Sequence, residues 1–189
     1  MSEPKKKKLF AVYLGGRADR CNIELHDVVF VVGSSLEETY PLLAKKWFGN
    51  LKQFHIDSYL ELQNIDGYKI ELSQTPPKED PLKKLYFINL GAYKTGEFTE
   101  YHQSAFYVAN SSPDAIRRAK SELCRGLQTV HKDDAVLLDS VSSSAEYDVD
   151  DILELREVDT YHISLTPTTS TEQAIPVSEY LKLNFPSAK

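Results

Sequence analysis

Glutamate and histidine two residues apart occur twice in this chain, each time just ahead of an apolar run. The pairs are Glu24/His26 and Glu100/His102. A second pattern, His-x-Asp, occurs at His55/Asp57 and His131/Asp133, so four of the five histidines lie in one motif or the other. Two imidazoles and two carboxylates are a reasonable ligand set for zinc, iron or manganese, so a divalent transition metal is the cofactor these residues would take. The same groups could work as acid and base without metal. Cys21 and Arg17 lie in the adjoining loop, where Cys21 is at most a weak nucleophile. The plainer reading is structural: Glu and His bond to loop backbone or to each other, and Asp caps backbone amides ahead of a strand.

Short elements must position these groups. Leu9–Leu14 reads as a strand ended by a flexible Gly15-Gly16 loop, and Arg17–Asn22 as a polar loop. Ile23–Val32 reads as a second strand with Glu24 and His26 on one face at its mouth, because side chains alternate along a strand. Ser35 and Glu38 have capping-box spacing, and Leu36, Tyr40, Leu43 and Trp47 follow as one helical stripe. Pro41 within that stripe predicts a kink, or a turn before the helix proper. Gly49-Asn50 stops the helix. Tyr59–Leu62 and Tyr68–Leu72 around Asp66-Gly67 read as a hairpin, with His55 and Asp57 just ahead of it. A strand–helix–strand crossover usually places its strands parallel and close together. Glu24, His26, His55 and Asp57 are therefore expected to converge beside the two glycines.

The unit repeats. Residues 9–48 and 85–124 are identical at eight of forty positions without a gap. Residues 57–72 and 150–165 share eight of sixteen. The predicted fold is α+β: two tandem ββαββ repeats forming a pseudo-twofold compact body. The boundaries are 1–75 for the first repeat, 76–81 for a Pro-rich linker, 82–166 for the second repeat and 167–189 for a C-terminal extension. The second repeat carries an insertion within roughly 127–148, with a short strand predicted near Ala135–Leu138. Two registers remain open there. Asp150 matches Asp57 in one, which puts Asp148 in the place of His55. His131 and Asp133 match His55 and Asp57 in the other.

Bulk properties exclude some classes. The 189 residues carry a net charge of −6 and a pI of about 5.4, which disfavours nucleic acid and anionic membranes as partners. Lys5–Lys8 reads as a solvated tail. No apolar run is long enough for a membrane-spanning helix, and the N-terminus lacks a signal peptide's apolar core. With Cys21 and Cys124 unmatched between the copies, reduced thiols and a cytoplasmic location are expected. Asp148-Val149-Asp150-Asp151 lacks the later acid and glycine of a calcium loop. Gly15-Gly16 alone gives little support to nucleotide binding. Edge strands of the two units could accept a partner strand or join each other. A monomer is favoured over a homodimer, with a protein or a small molecule as partner. The leading functional expectation is a non-catalytic small-molecule or protein-binding module. The alternative is a metal-binding protein or metal-dependent enzyme using Glu-x-His and His-x-Asp.

Several stretches resemble the domain-of-unknown-function family numbered 1543. They are Leu9–Gly16, Glu24-Leu25-His26-Asp27, Trp47-Phe48-Gly49 and His55-Ile56-Asp57. In the second half they are Glu100-Tyr101-His102-Gln103, His131-Lys132-Asp133-Asp134 and Val149-Asp150-Asp151. The resemblance runs to about Thr166 and implies a bacterial protein with two copies of this domain. It implies no activity and no catalytic residues.

Overall fold

A continuous apolar run, Leu9 to Leu14, gives the segment Lys8–Arg17 two faces to bury, and in the computed structural model it becomes an inner strand of an antiparallel sheet. The structure describes residues 5–123, 148–170, 172 and 174–183, with backbone alone at 148–150. The predicted strand at Ala135–Leu138 lies outside the described residues, as do His131 and Asp133.

The first copy runs β1 (Lys8–Arg17), β2 (Leu25–Gly33), α1 (Leu36–Lys46), β3 (Asn50–Leu62), β4 (Asn64–Ile65) and β5 (Tyr68–Ser73). The second runs β6 (Lys84–Tyr93), β7 (Glu100–Ala109), α2 (Ser112–Glu122), β8 (Asp148–Leu155), β9 (Glu157–Val158) and β10 (Tyr161–Pro167), and β11 (Val177–Lys182) follows. The fold is α+β, with two helices and antiparallel strand pairs among the described residues.

Residues 1–78 and 157–189 make one compact unit. Its first sheet has the order β11-β3-β1-β2. The crossover through α1 leaves β2 and β3 parallel, but β1 lies between them and pairs with each. Phe10, Val12, Leu14, Val29, Val31, Phe54 and Ile56 form one face, packed with Leu36, Leu43 and Trp47 of the helical stripe. Burying such a side chain is worth about 1.5–3 kcal/mol. Tyr40 is packed only partly against this core. Pro41 does not divide the helix, which runs unbroken from Leu36 to Lys46. Proline removes a single donor from the ladder, and the buried stripe on either side outweighs that loss.

The hairpin differs from the expected one. The third strand starts at Asn50 rather than Tyr59, so His55 and Asp57 lie inside it. β1 pairs along one side of β3 and β11 along the other from His55 to Tyr59, and β5 does not join this sheet. Instead β5 pairs with β4 and with β10, giving a second sheet of order β4-β5-β10-β9. Positive φ at Asp66 (52°) and Gly67 (76°) gives the tight turn this sequence favours. In the matching turn of the second copy, Asp159 Oδ2 accepts from the Val32 amide at 2.8 Å. Its Oδ1 meets Lys46 Nζ at 2.9 Å.

Residues 79–156 make the other unit, with sheet order β7-β6-β8. Tyr86, Ile88, Leu90 and Ala92 of β6 pack with Ala115, Ala119 and Leu123. These β6 positions align without a gap to Phe10, Val12, Leu14 and Gly16 of β1, so both helices cover the same face of their sheets.

Both helices begin with a serine cap: Ser35 accepts from Glu38 N and Ser111 from Asp114 N. The Glu38 carboxylate also accepts from Ser34 N and pairs with Lys7, both at 2.5 Å. The bond to Lys7 first, then that to the Ser34 backbone, lowers the Glu38 pKa from 4.5 to about 2. A depressed folded-state pKa gives stability that is present above pH 4.5 and lost as the pH falls toward about 2. In thermal melts, wild type should exceed Glu38→Gln at pH 7, and the two should converge near pH 2. Equal melting temperatures at pH 7 would contradict this account of the helix start.

Candidate functional site

The site is built on the sheet face opposite α1. Gly15 lies in the centre of the sheet, level with His26 on β2 and His55 on β3. It is not a flexible loop, because β1 runs on to Arg17 and neither Gly15 nor Gly16 has positive φ. What matters is the missing side chain. A Cβ on Gly15 would stand 2.3 Å from His55 Nε2 and 2.7 Å from Asp57 Oδ2. On the other face, a Cβ on Gly16 would meet the Trp47 ring at 3.0 Å. The β1–β3 register slips between Tyr13 and Leu14, so Asp57 is an extra residue in β3. Such a bulge re-aims a side chain, and here it brings Asp57 over Gly15 beside His55.

Four charged or titratable groups meet above this glycine. Glu24 Oε1 lies 3.2 Å from His55 Nε2 and 3.4 Å from His26 Nε2. Asp57 Oδ1 is 3.3 Å from His55 Nε2, and its Oδ2 is 3.4 Å from His26 Nε2. Glu24, His55 and Asp57 each bring a donor atom to within 4.8 Å of the others. The His55 side chain is 2% exposed, whereas Glu24, His26 and Asp57 open to solvent.

The proton on His55 is assigned by its other nitrogen. His55 Nδ1 lies 2.8 Å from the Gln53 carbonyl, and only a donating Nδ1–H makes that a bond. In the neutral ring Nε2 then carries a lone pair directed at two carboxylates. His55 Nε2 and Asp57 Oδ2 are both buried without a hydrogen-bond partner. Acceptors gathered in this way repel one another unless a proton or a cation joins them. The two separations from His55 Nε2 to the carboxylates, 3.2 and 3.3 Å, fit a cation. Two ligand atoms about 2.1 Å from a tetrahedral ion stand about 3.4 Å apart.

Two tyrosines not foreseen as site residues pack on the imidazoles. Tyr13, two residues before Gly15 and on the same face, stacks on His26 with ring centroids 5.4 Å apart. Burial first, and the Asp57 charge second, raise the Tyr13 phenol above its usual pKa. Tyr180 of β11 packs on His55 at 4.5 Å. Strand alternation gave a signal for Tyr13. Tyr180 belongs to the far end of the chain from His55, and no local pattern links them. Arg17 donates to the Asn22 carbonyl at 3.4 Å, and Cys21 is a free, half-buried thiol in the same loop.

The description Domain of Unknown Function (DUF1543) matches residues 21–72 and 97–149, more than half the chain in two tandem copies. The chain belongs to this family. A solved structure, a protein Il1583 from Idiomarina loihiensis, is similar at 33% identity and a TM-score of 0.67, over 96% of this chain and 99% of that one. No curated protein matches the chain.

The two DUF1543 copies are not equivalent at this position. Gly91 of β6 lies level with His102 on one side and Asp148 on the other. A register slip between Asn89 and Leu90 puts Asp150 at the bulge, as Asp57 is in the first copy. The strand register sets Asp148 level with Gly91, as His55 is level with Gly15. The second family match ends at residue 149, whereas β8 continues to Leu155. Glu100 Oε2 and His102 Nε2 are 3.8 Å apart. At the position of Tyr13 stands Asn89, which accepts a hydrogen bond from Ser104 at 2.7 Å.

Gly15→Ala tests whether the His55 ring lies over the central strand. Its Cβ should displace His55 or Asp57 and cost about 1–3 kcal/mol in urea unfolding, the usual range for overpacking. An unchanged unfolding midpoint would contradict the packing described here.

Proposed function

We propose that the first DUF1543 copy of this protein is a metal-binding module holding one divalent transition-metal ion with Glu24, His55 and Asp57. His26 lies against both carboxylates. The observation that carries this reading is His55 Nε2, buried, without a hydrogen-bond partner and facing two carboxylates at 3.2 and 3.3 Å. Imidazole nitrogen with carboxylate oxygen suits zinc, iron or manganese better than magnesium or calcium. Three of the four groups are partly exposed, so an ion bound here would keep a position open to water or a small molecule. Such an ion acts as a Lewis acid and lowers the pKa of bound water. Glu24 and Asp57 would balance its charge, and the Gln53 carbonyl would hold the His55 ring in its ligating tautomer. Strands β5 and β10 pair within the chain, which favours a monomer as the binding unit.

Zinc titration of chelator-treated protein tests the proposal. Wild type should bind one equivalent, and His55→Ala and Asp57→Asn should each weaken binding by about 100-fold or more. Absence of zinc binding by wild type, or the same affinity in His55→Ala, would overturn it.

A further inference from the structure

We infer that the C-terminal strand β11 is part of this metal site, with Tyr180 as the residue that positions His55. The inference rests on the metal-binding reading above and adds an element that lies outside both family matches.

Without β11, the strand that carries His55 and Asp57 would be the sheet edge. β11 pairs along it, with Val177 opposite Tyr59, Ser178 opposite Ser58, Leu181 opposite Ile56 and Lys182 opposite His55. The register slips between Ser178 and Leu181, so Glu179 and Tyr180 together oppose Asp57. Asp57 is itself the extra residue of β3 toward β1. Two irregularities therefore meet at one ligand. Bulges are over-represented beside functional sites because they redirect a side chain at the cost of regular pairing.

Here the redirected side chain is Tyr180. Its ring packs on His55 with centroids 4.5 Å apart and planes inclined by 37°. Tyr180 is 64% exposed, yet the imidazole it covers is 2% exposed. A large aromatic residue left mostly in water adds little to a core, so its contact with His55 is its main packing role. The strand itself is anchored elsewhere. Leu183, just past β11, is buried in the core of the first unit, and its amide donates to the Phe54 carbonyl at 3.3 Å. The Gln53 carbonyl sets the rotation of the His55 ring, and Tyr180 closes one of its faces. Groups that orient a ligating histidine from outside the coordination sphere typically change metal affinity by about 10–100-fold.

The second copy supplies a contrast. Among the described residues its sheet has the order β7-β6-β8, and no strand pairs with the outer side of β8. The added strand thus falls on the copy whose register position carries histidine rather than aspartate.

Cobalt(II) titration, followed by its visible absorption, tests the role of Tyr180 in the full chain. Tyr180→Ala should weaken cobalt binding by about 10-fold and alter the absorption band, while the metal-free melting temperature stays near wild type. Tyr180→Phe should restore affinity and spectrum, because the ring and not the hydroxyl packs on His55. Tyr180→Leu, which keeps apolar bulk without a plane, should behave as Tyr180→Ala does and serves if that variant folds poorly. Wild-type affinity in the Ala or Leu variant would overturn the inference, as would failure of Phe to restore it. Absence of cobalt binding by wild type would instead remove the metal reading on which the inference rests.

Discussion

A missing side chain at the centre of a sheet is the constraint on which the site depends. β1 is hydrogen-bonded on both sides, so residues level with Gly15 on β2 and β3 are held at fixed spacing by the backbone. Those residues are His26 and His55. Any side chain at Gly15 would occupy the space where the His55 and Asp57 tips now lie. The opposite face of the same strand is filled by Val12, Leu14 and the residues of α1, which keeps β1 from moving away. Polar groups on one face are therefore positioned by apolar burial on the other.

Much of this was legible in the sequence, for identifiable reasons. The helices announced themselves through Ser35 and Ser111 at their starts and through stripes at helical spacing, because caps and periodicity are local signals. The duplication was legible because Glu24/His26 and Glu100/His102 sit in register within two gapless stretches. Glu24, His26, His55 and Asp57 could be expected on one edge of a sheet from crossover topology alone. The start of β3 was not legible, since Asn50–Gln53 are exposed and carry no apolar alternation. Nor was the exchange of hairpins: β5 and β10 belong to different copies, and no local pattern pairs them. Paired glycines suggest freedom of the chain, whereas Gly15 and Gly16 both serve close approach.

The two copies show how one scaffold can carry different groups at matched positions. Glycine, Glu-x-His and an aspartate at the bulge recur, but Asp148 stands level with Gly91 where His55 stands level with Gly15. Tyr13 is replaced by Asn89, and the outer strand β11 belongs to the first sheet. The features that bury and orient His55 thus occur together in one copy. The backbone register is shared by the two copies, while the residues at matched positions differ.

The central claim is that a cation, rather than a proton, joins the acceptors above Gly15. Anomalous diffraction at the zinc absorption edge, from crystals grown with zinc, addresses it most directly. The account predicts an anomalous peak about 2.0–2.2 Å from Glu24 Oε1, His55 Nε2 and an Asp57 carboxylate oxygen. A map with no peak between those three atoms, in protein crystallised with zinc at neutral pH, would contradict it.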